Sequence, residues 1–120
     1  MTRDQAIEEL RAFGLTYPDA HIKSPWEGHK DVAVNDKTFA YLSVEGAPFS
    51  ISCKLKDSLS AAMELPYTKP TAYGLGKWGW VTATPGPDDD LDMELFRGWI
   101  DESYRAQAKK RQVKLLDARS

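Results

Sequence analysis

The sequence predicts an α+β domain, an antiparallel β-sheet packed against N- and C-terminal helices. Three observations carry this reading. Apolar residues recur at helical spacing at both ends of the chain, at Ala6, Ile7, Leu10 and Phe13 and again at Met93, Phe96 and Ile100 with Leu95 and Trp99. Between them lie short β-branched and aromatic runs with period-two alternation. Turn chemistry such as Asn35-Asp36 separates those runs, which favours hairpins over crossovers.

Taken in order, Thr2-Arg3-Asp4-Gln5 reads as a capping box opening the first helix. Gly14 is its expected stop. The opposite face, with Asp4, Glu8 and Arg11, reads as solvated surface. Tyr17-Pro18-Asp19 breaks the chain, and His21 to Trp26 is expected to be extended, because the residue before Pro25 is pushed out of the α region. Asp31 to Val34 is a short strand whose hairpin partner is Thr38 to Val44, with Phe39 and Tyr41 on one face and Ala40 and Leu42 on the other. Glu45 to Pro48 makes the next turn.

Phe49 to Leu55 alternates most cleanly, Phe49, Ile51, Cys53 and Leu55 pointing one way and Ser50, Ser52 and Lys54 the other. A short helix follows, with Leu59, Ala62 and Met63 inward and Pro66 as its end. Lys69 to Lys77 reads as a loop or irregular strand leading into a strand from Trp78 to Thr84. Three of the four tryptophans lie between Trp78 and Trp99, so this strand and the next helix form the expected core seed. Pro85-Gly86-Pro87 ends the strand, and Asp88, Asp89, Asp90 and Asp92 suit the helix N-terminus. Arg105, Lys109, Lys110, Arg111 and Lys114 complement the other end of that helix. Residues after about 112 are expected to extend it or fray as a helical tail. With no repeat, linker or low-complexity tract, residues 1–120 are read as one domain.

Composition narrows the function. The net charge is −2 and the pI about 5.7, which is not the global signature of a nucleic-acid binder. A polyanion would have to meet a local basic patch. No apolar run approaches a membrane span, the first residues do not read as a signal peptide, and the single cysteine suits a reducing cytoplasm. The expected state is a cytoplasmic monomer with no membrane partner.

Catalytic and metal chemistry find no support in the pattern. His21 and His29 match no metal spacing and read as surface histidines. Cys53 lies on the apolar face of its strand, where a thiol behaves as a small hydrophobe. Asp88-Asp89-Asp90 lacks the spacing of a calcium loop, and Gly74-Leu75-Gly76-Lys77 lacks that of a phosphate loop. The expectation is therefore no enzyme, no metal and no cofactor. One surface stands out. Ser50, Ser52, Lys54 and Lys56 lie on or beside one open sheet face, with Lys69 and Lys77 before the Trp80 strand and Thr82 and Thr84 after Trp80. Amines near hydroxyls and aromatics suit phosphate and base contacts.

Asp31-Val32-Ala33-Val34, Lys37-Thr38-Phe39-Ala40, Cys53-Lys54-Leu55-Lys56, Lys77-Trp78-Gly79-Trp80-Val81 and Trp99-Ile100-Asp101-Glu102-Ser103-Tyr104-Arg105 together resemble the MmcQ/YjbR family. The resemblance spans nearly the whole domain. It implies a frataxin-like (CyaY-like) fold of the double-wing type, with a curved antiparallel sheet packed on helices. It also implies a DNA-binding protein, which with the absence of a catalytic constellation reads as DNA binding without catalysis. The candidate contact residues are Lys54, Lys56, Lys77, Trp80 and Arg105. Asp4, Glu8 and Glu9 are too sparse for the acidic ridge that frataxins use for iron. The alternative is a protein-interaction or small-ligand-binding adaptor on the same fold, with no nucleic-acid role. Ser103 and Tyr104 read as buried hydroxyls that fix how the last helix docks.

Overall fold

The capping box forms as its residues dictate. In the computed structural model, which describes residues 1–24 and 28–119, Thr2 Oγ1 accepts the Gln5 N–H at 3.0 Å and Gln5 Oε1 accepts the Thr2 N–H at 2.8 Å. Helix α1 (Arg3–Leu15) follows. Gly14 does not stop it. It lies in the last turn, where a Cβ would meet Val32 Cγ1 at 3.4 Å, an ordinary contact with the sheet. Arg11 departs from the solvated face expected for it and is only 4% exposed. Its Nε donates to Lys30 O at 2.9 Å and its Nη2 to Ser43 O at 2.7 Å, while Glu8 pairs with Nη1.

Six antiparallel strands form one sheet: β1 (His21–Lys23), β2 (Asp31–Val34), β3 (Lys37–Leu42), β4 (Ile51–Lys54), β5 (Thr68–Pro70) and β6 (Trp80–Ala83). Their order is β1-β2-β3-β4-β6-β5. The part of the expected extended segment at Pro25 and Trp26 lies outside the described residues. Asn35 and Asp36 both take positive φ and close the β2–β3 hairpin, as their turn chemistry predicts. The face assignment in β3 is different from the simple alternation. Ala33 pairs with Thr38 and Val32 with Ala40, so Phe39 is an extra residue in a β-bulge. The bulge lets Phe39, Ala40 and Leu42 all enter the core and turns Tyr41 to the other face.

Helices α1 and α3 (Met93–Gln107) cover the core face of the sheet. Asp92 caps α3, its side chain accepting the Leu95 N–H at 3.0 Å. The helix thus starts later than the aspartate run suggests. Asp89 instead accepts the Gly86 N–H, and Arg3 Nη2 donates to the carbonyls of Gly86, Pro87 and Asp89, holding that run as a turn. Phe96, Trp99, Ile100, Ser103 and Tyr104 are the buried stripe of α3. Ser103 Oγ accepts the Lys54 N–H at 2.9 Å, and Tyr104 donates to Pro18 O at 2.8 Å, so both hydroxyls do fix the docking.

Two further expectations are corrected. Met63, at the end of α2 (Leu59–Met63), is exposed, and only Ala62 of that helix is fully buried. The long helix does not run on. It breaks at Ala108, whose backbone is extended, and α4 (Lys110–Asp117) starts anew. Gln112 anchors α4 from a buried position. Its Nε2 donates to Asp19 and Asn35, both at 3.0 Å, and its Oε1 accepts from Asn35 and from the Lys109 N–H.

Replacing Trp99 with Ala should cost about 3–5 kcal/mol in urea denaturation, through lost packing and the cavity left behind. An unchanged midpoint and slope would contradict the packing. Ser103→Ala should cost about 1–3 kcal/mol, because it leaves the Lys54 N–H unpaired. Burial also pushes the Cys53 thiol up, so Cys53 should resist a thiol reagent until the protein unfolds.

Candidate functional site

The outer face of the sheet carries the candidate site. Registered cross-strand partners place Tyr41, Ser52, Thr82 and Lys69 in one row across β3, β4, β6 and β5. The next row pairs Lys54 with Trp80. Side chains on one face of a sheet meet along such rows. Ser52 Oγ and Thr82 Oγ1 lie 2.7 Å apart, and Thr71 Oγ1 is 2.9 Å from Thr82 Oγ1, so three hydroxyls form a chain. Ser52 is therefore buried within this chain, although it lies on the open face that the sequence assigned it. Tyr41 packs on Trp80 with ring centroids 5.2 Å apart.

The segment after β5 folds over this face. Thr71 N–H donates to Trp80 O, and a 3-10 turn (Leu75–Trp78) leads to Gly79. Gly79 has φ 92°, and a Cβ there would stand 2.6 Å from Leu55 O, so no other residue fits without a shift. A Cβ at Gly76 would lie 2.5 Å from Pro70 Cβ. These glycines serve the loop's own path. Trp78 belongs to this turn and is exposed, so it is not part of the core seed. Tyr73 has φ 61° and is 100% exposed. An aromatic residue held in the left-handed region marks a strained loop.

Loop and sheet line a half-open cavity of about 740 Å³. Tyr41, Ser50, Thr82 and Thr84 lie on its sheet side, Thr71 and Tyr73 on its loop side, and Lys69, His29 and Asp31 complete it. Asp31 is the unexpected member. Its side chain is 3% exposed, and its Oδ1 accepts the Leu42 N–H at 3.1 Å. Its Oδ2 has no hydrogen-bond partner among the described residues; His29 Nδ1 stands 3.7 Å away, an electrostatic contact beyond hydrogen-bond reach. Burial pushes the Asp31 carboxyl above its ordinary range, while the Leu42 N–H, His29 and Arg11 pull in the other direction. A more open groove along α1 is lined by Asp4, Glu8, Glu9 and Glu45, with Lys30 as the one basic side chain among the described residues, a mainly acidic lining that does not suit a phosphate.

The sequence-derived candidates separate. Lys54 stands on the outer face beside Trp80, and Lys77 on the 3-10 turn with its Nζ 5.6 Å from the Trp78 ring centroid. Lys56 is exposed just past β4, where its N–H donates to Glu102. Among the described residues none of these lysines, nor Lys69, is in an ion pair. Trp80 is 5% exposed and lies behind Tyr41. Arg105 is on α3, on the other side of the sheet, and bonds Asp101 and Asp117, both at 2.9 Å. Asp31, His29 and Tyr41 were not singled out from sequence as site residues. A signal for Asp31 was present: aspartate is disfavoured in strands, yet it opens an otherwise apolar one. Tyr41 was hidden by the bulge.

A family model described as YjbR matches residues 15–106. The chain belongs to the YjbR family. No curated protein matches this YjbR chain. Among solved structures it is similar to the crystal structure of Deinococcus radiodurans protein DR2400, domain DUF419. The two share 22% identity with a TM-score of 0.69, over 97% of this chain and 91% of that one. At this identity the likeness shows the fold, an antiparallel sheet with flanking helices. Among the described residues of the YjbR chain, no helix is long and apolar enough to cross a membrane.

Asp31→Asn should raise stability above neutral pH. An unfolded aspartate titrates near pH about 3.9 and the folded one higher, so ionising Asp31 costs stability as pH rises through its folded value. The amide oxygen of Asn retains the Leu42 bond. The gain in melting temperature should therefore shrink as pH falls and vanish below the unfolded value. A gain independent of pH would refute this electrostatic account.

Proposed function

We propose that this YjbR domain is a non-catalytic nucleic-acid-binding protein that takes an unpaired strand on the outer face of its sheet. The observation that carries the reading is Lys69 in the lining of a hydroxyl- and tyrosine-lined cavity, with Lys54 on the same sheet face and Lys77 on the turn after β5, none of the three in an ion pair among the described residues. Ammonium groups and hydroxyls suit phosphate oxygens, and exposed aromatic faces suit unstacked bases. Lys56 extends the basic rim. Trp80 supports Tyr41 from behind instead of touching the strand. Arg105, held by two carboxylates across the sheet, plays no part in this contact. A concave face suits a flexible single strand better than a duplex, whose grooves call for a protruding helix or ribbon.

A second reading is favoured by one observation, the size of the cavity. At about 740 Å³ it falls within the roughly 300–1,000 Å³ of small-molecule sites. The same face would then serve a small-ligand adaptor, in keeping with the net charge of −2.

Fluorescence anisotropy with labelled single- and double-stranded DNA at two salt concentrations separates these readings. Single strands should bind more tightly, with a log–log salt slope of about −0.7 per phosphate neutralised. The combined change Lys54→Ala, Lys69→Ala and Lys77→Ala should weaken binding evenly across sequences and make that slope shallower by about 2. Stability should stay within about 0.5 kcal/mol for each surface change. Absence of binding even at low salt would leave the small-ligand reading.

A further inference from the structure

One oxygen of Asp31 receives no hydrogen bond among the described residues. Its Oδ1 holds the end of the β2–β3 ladder through the Leu42 N–H. Oδ2 lies buried beside the cavity without a hydrogen-bond partner among the described residues. An orphan acceptor of this kind costs stability, and a buried one in a native protein calls for a reason beyond packing. An ionised carboxylate accepts and cannot donate, so whatever meets Oδ2 must bring an N–H or O–H.

The surroundings narrow the donor. Tyr41 lies on the cavity's sheet side, so a flat ring has an aromatic surface to rest on, and Tyr73 stands exposed on the loop side. Lys69, in the same row as Thr82, supplies a cation at the cavity for an attached phosphate. His29, half-exposed and 3.7 Å from Oδ2, stands beside the carboxylate.

We infer that the cavity reads a single nucleobase through Asp31, favouring bases that present an exocyclic amino group over uracil or thymine. The amino group of cytosine or adenine donates to Oδ2. Uracil meets the same oxygen with its O4 acceptor, and its ring N–H is flanked by two carbonyls, so acceptor faces acceptor. The inference rests on the outer face being the binding surface. It adds the part of the ligand that is recognised there. The base has two sources, a single strand or a free nucleotide.

The test pairs deoxycytidine and deoxyuridine homo-oligonucleotides, which differ in the exocyclic group on C4 and in the proton on N3, in anisotropy titrations slightly above neutral pH. The wild-type protein should bind the cytidine strand about tenfold more tightly. Asp31→Asn keeps an oxygen for Leu42 and turns an amide N–H₂ toward the ligand, so the preference should reverse toward uridine with the salt slope unchanged. Asp31→Ala should abolish the preference, and its melting curve shows whether it folds. Calorimetry with dCMP and dUMP supplies the second arm. An Asp31-dependent preference for dCMP without oligonucleotide binding would support base recognition with a free nucleotide as the source, while sinking the strand-binding function. Strand binding without a cytidine preference, or one that Asp31→Asn leaves intact, would overturn the inference but not the strand-binding function. No binding in either arm would overturn both.

Discussion

The docking of one helix stripe decides which side of the sheet is available for function. Phe96, Trp99, Ile100 and Tyr104 bury themselves against the core face, and apolar burial of this kind is the largest favourable contribution to folding. Burial alone does not set the register of a helix on a sheet. The hydroxyls of Ser103 and Tyr104 do, by satisfying the Lys54 N–H and the Pro18 carbonyl. Glu102 adds the N–H groups of Lys56 and Ser58. The backbone that carries Lys54 and Lys56 is thus held from behind by α3, which leaves their side chains to the other face.

A second anchor works from α1. Arg11 gathers the carbonyls of Lys30 and Ser43, the points where chain enters β2 and leaves β3. Asp31 sits between those points and takes the Leu42 N–H. A buried guanidinium with three acceptors is well satisfied, whereas the carboxylate beside it is not. The imbalance lies at the cavity.

The hydroxyl chain from Ser52 through Thr82 to Thr71 gives the cavity a defined lining instead of a hydrated slope. Bonds between neighbouring hydroxyls polarise one another and hold their rotors. The covering loop reaches this geometry through residues that tolerate positive φ, Gly74 and Gly79, and through one that does not favour it, Tyr73.

Much of the fold was legible from local chemistry. The capping box at Thr2, the Asn35-Asp36 turn, the alternation through β4 and the apolar stripe of α3 each depend on residues close in sequence, so their pattern is enough. The lysines and hydroxyls of the outer face were legible for the same reason, since alternation within one strand assigns faces. What the tertiary structure decided involves partners distant in the chain. Arg11 reads as a surface residue until Lys30 and Ser43 arrive around it. Gln112 reads as tail until Asp19 and Asn35 meet it. Phe39 and Tyr41 share a face on paper, and the bulge separates them because both Phe39 and Ala40 gain a place in the core. The same bulge delivers Tyr41 to the cavity beside Asp31. Sequence alone determined most of the elements and the chemistry of the exposed face, because spacing along a chain encodes periodicity; the break between α3 and α4 and the 3-10 turn at Trp78 it did not. Only the assembled sheet decided which groups are buried together, because burial and pairing belong to neighbours that the linear order keeps apart.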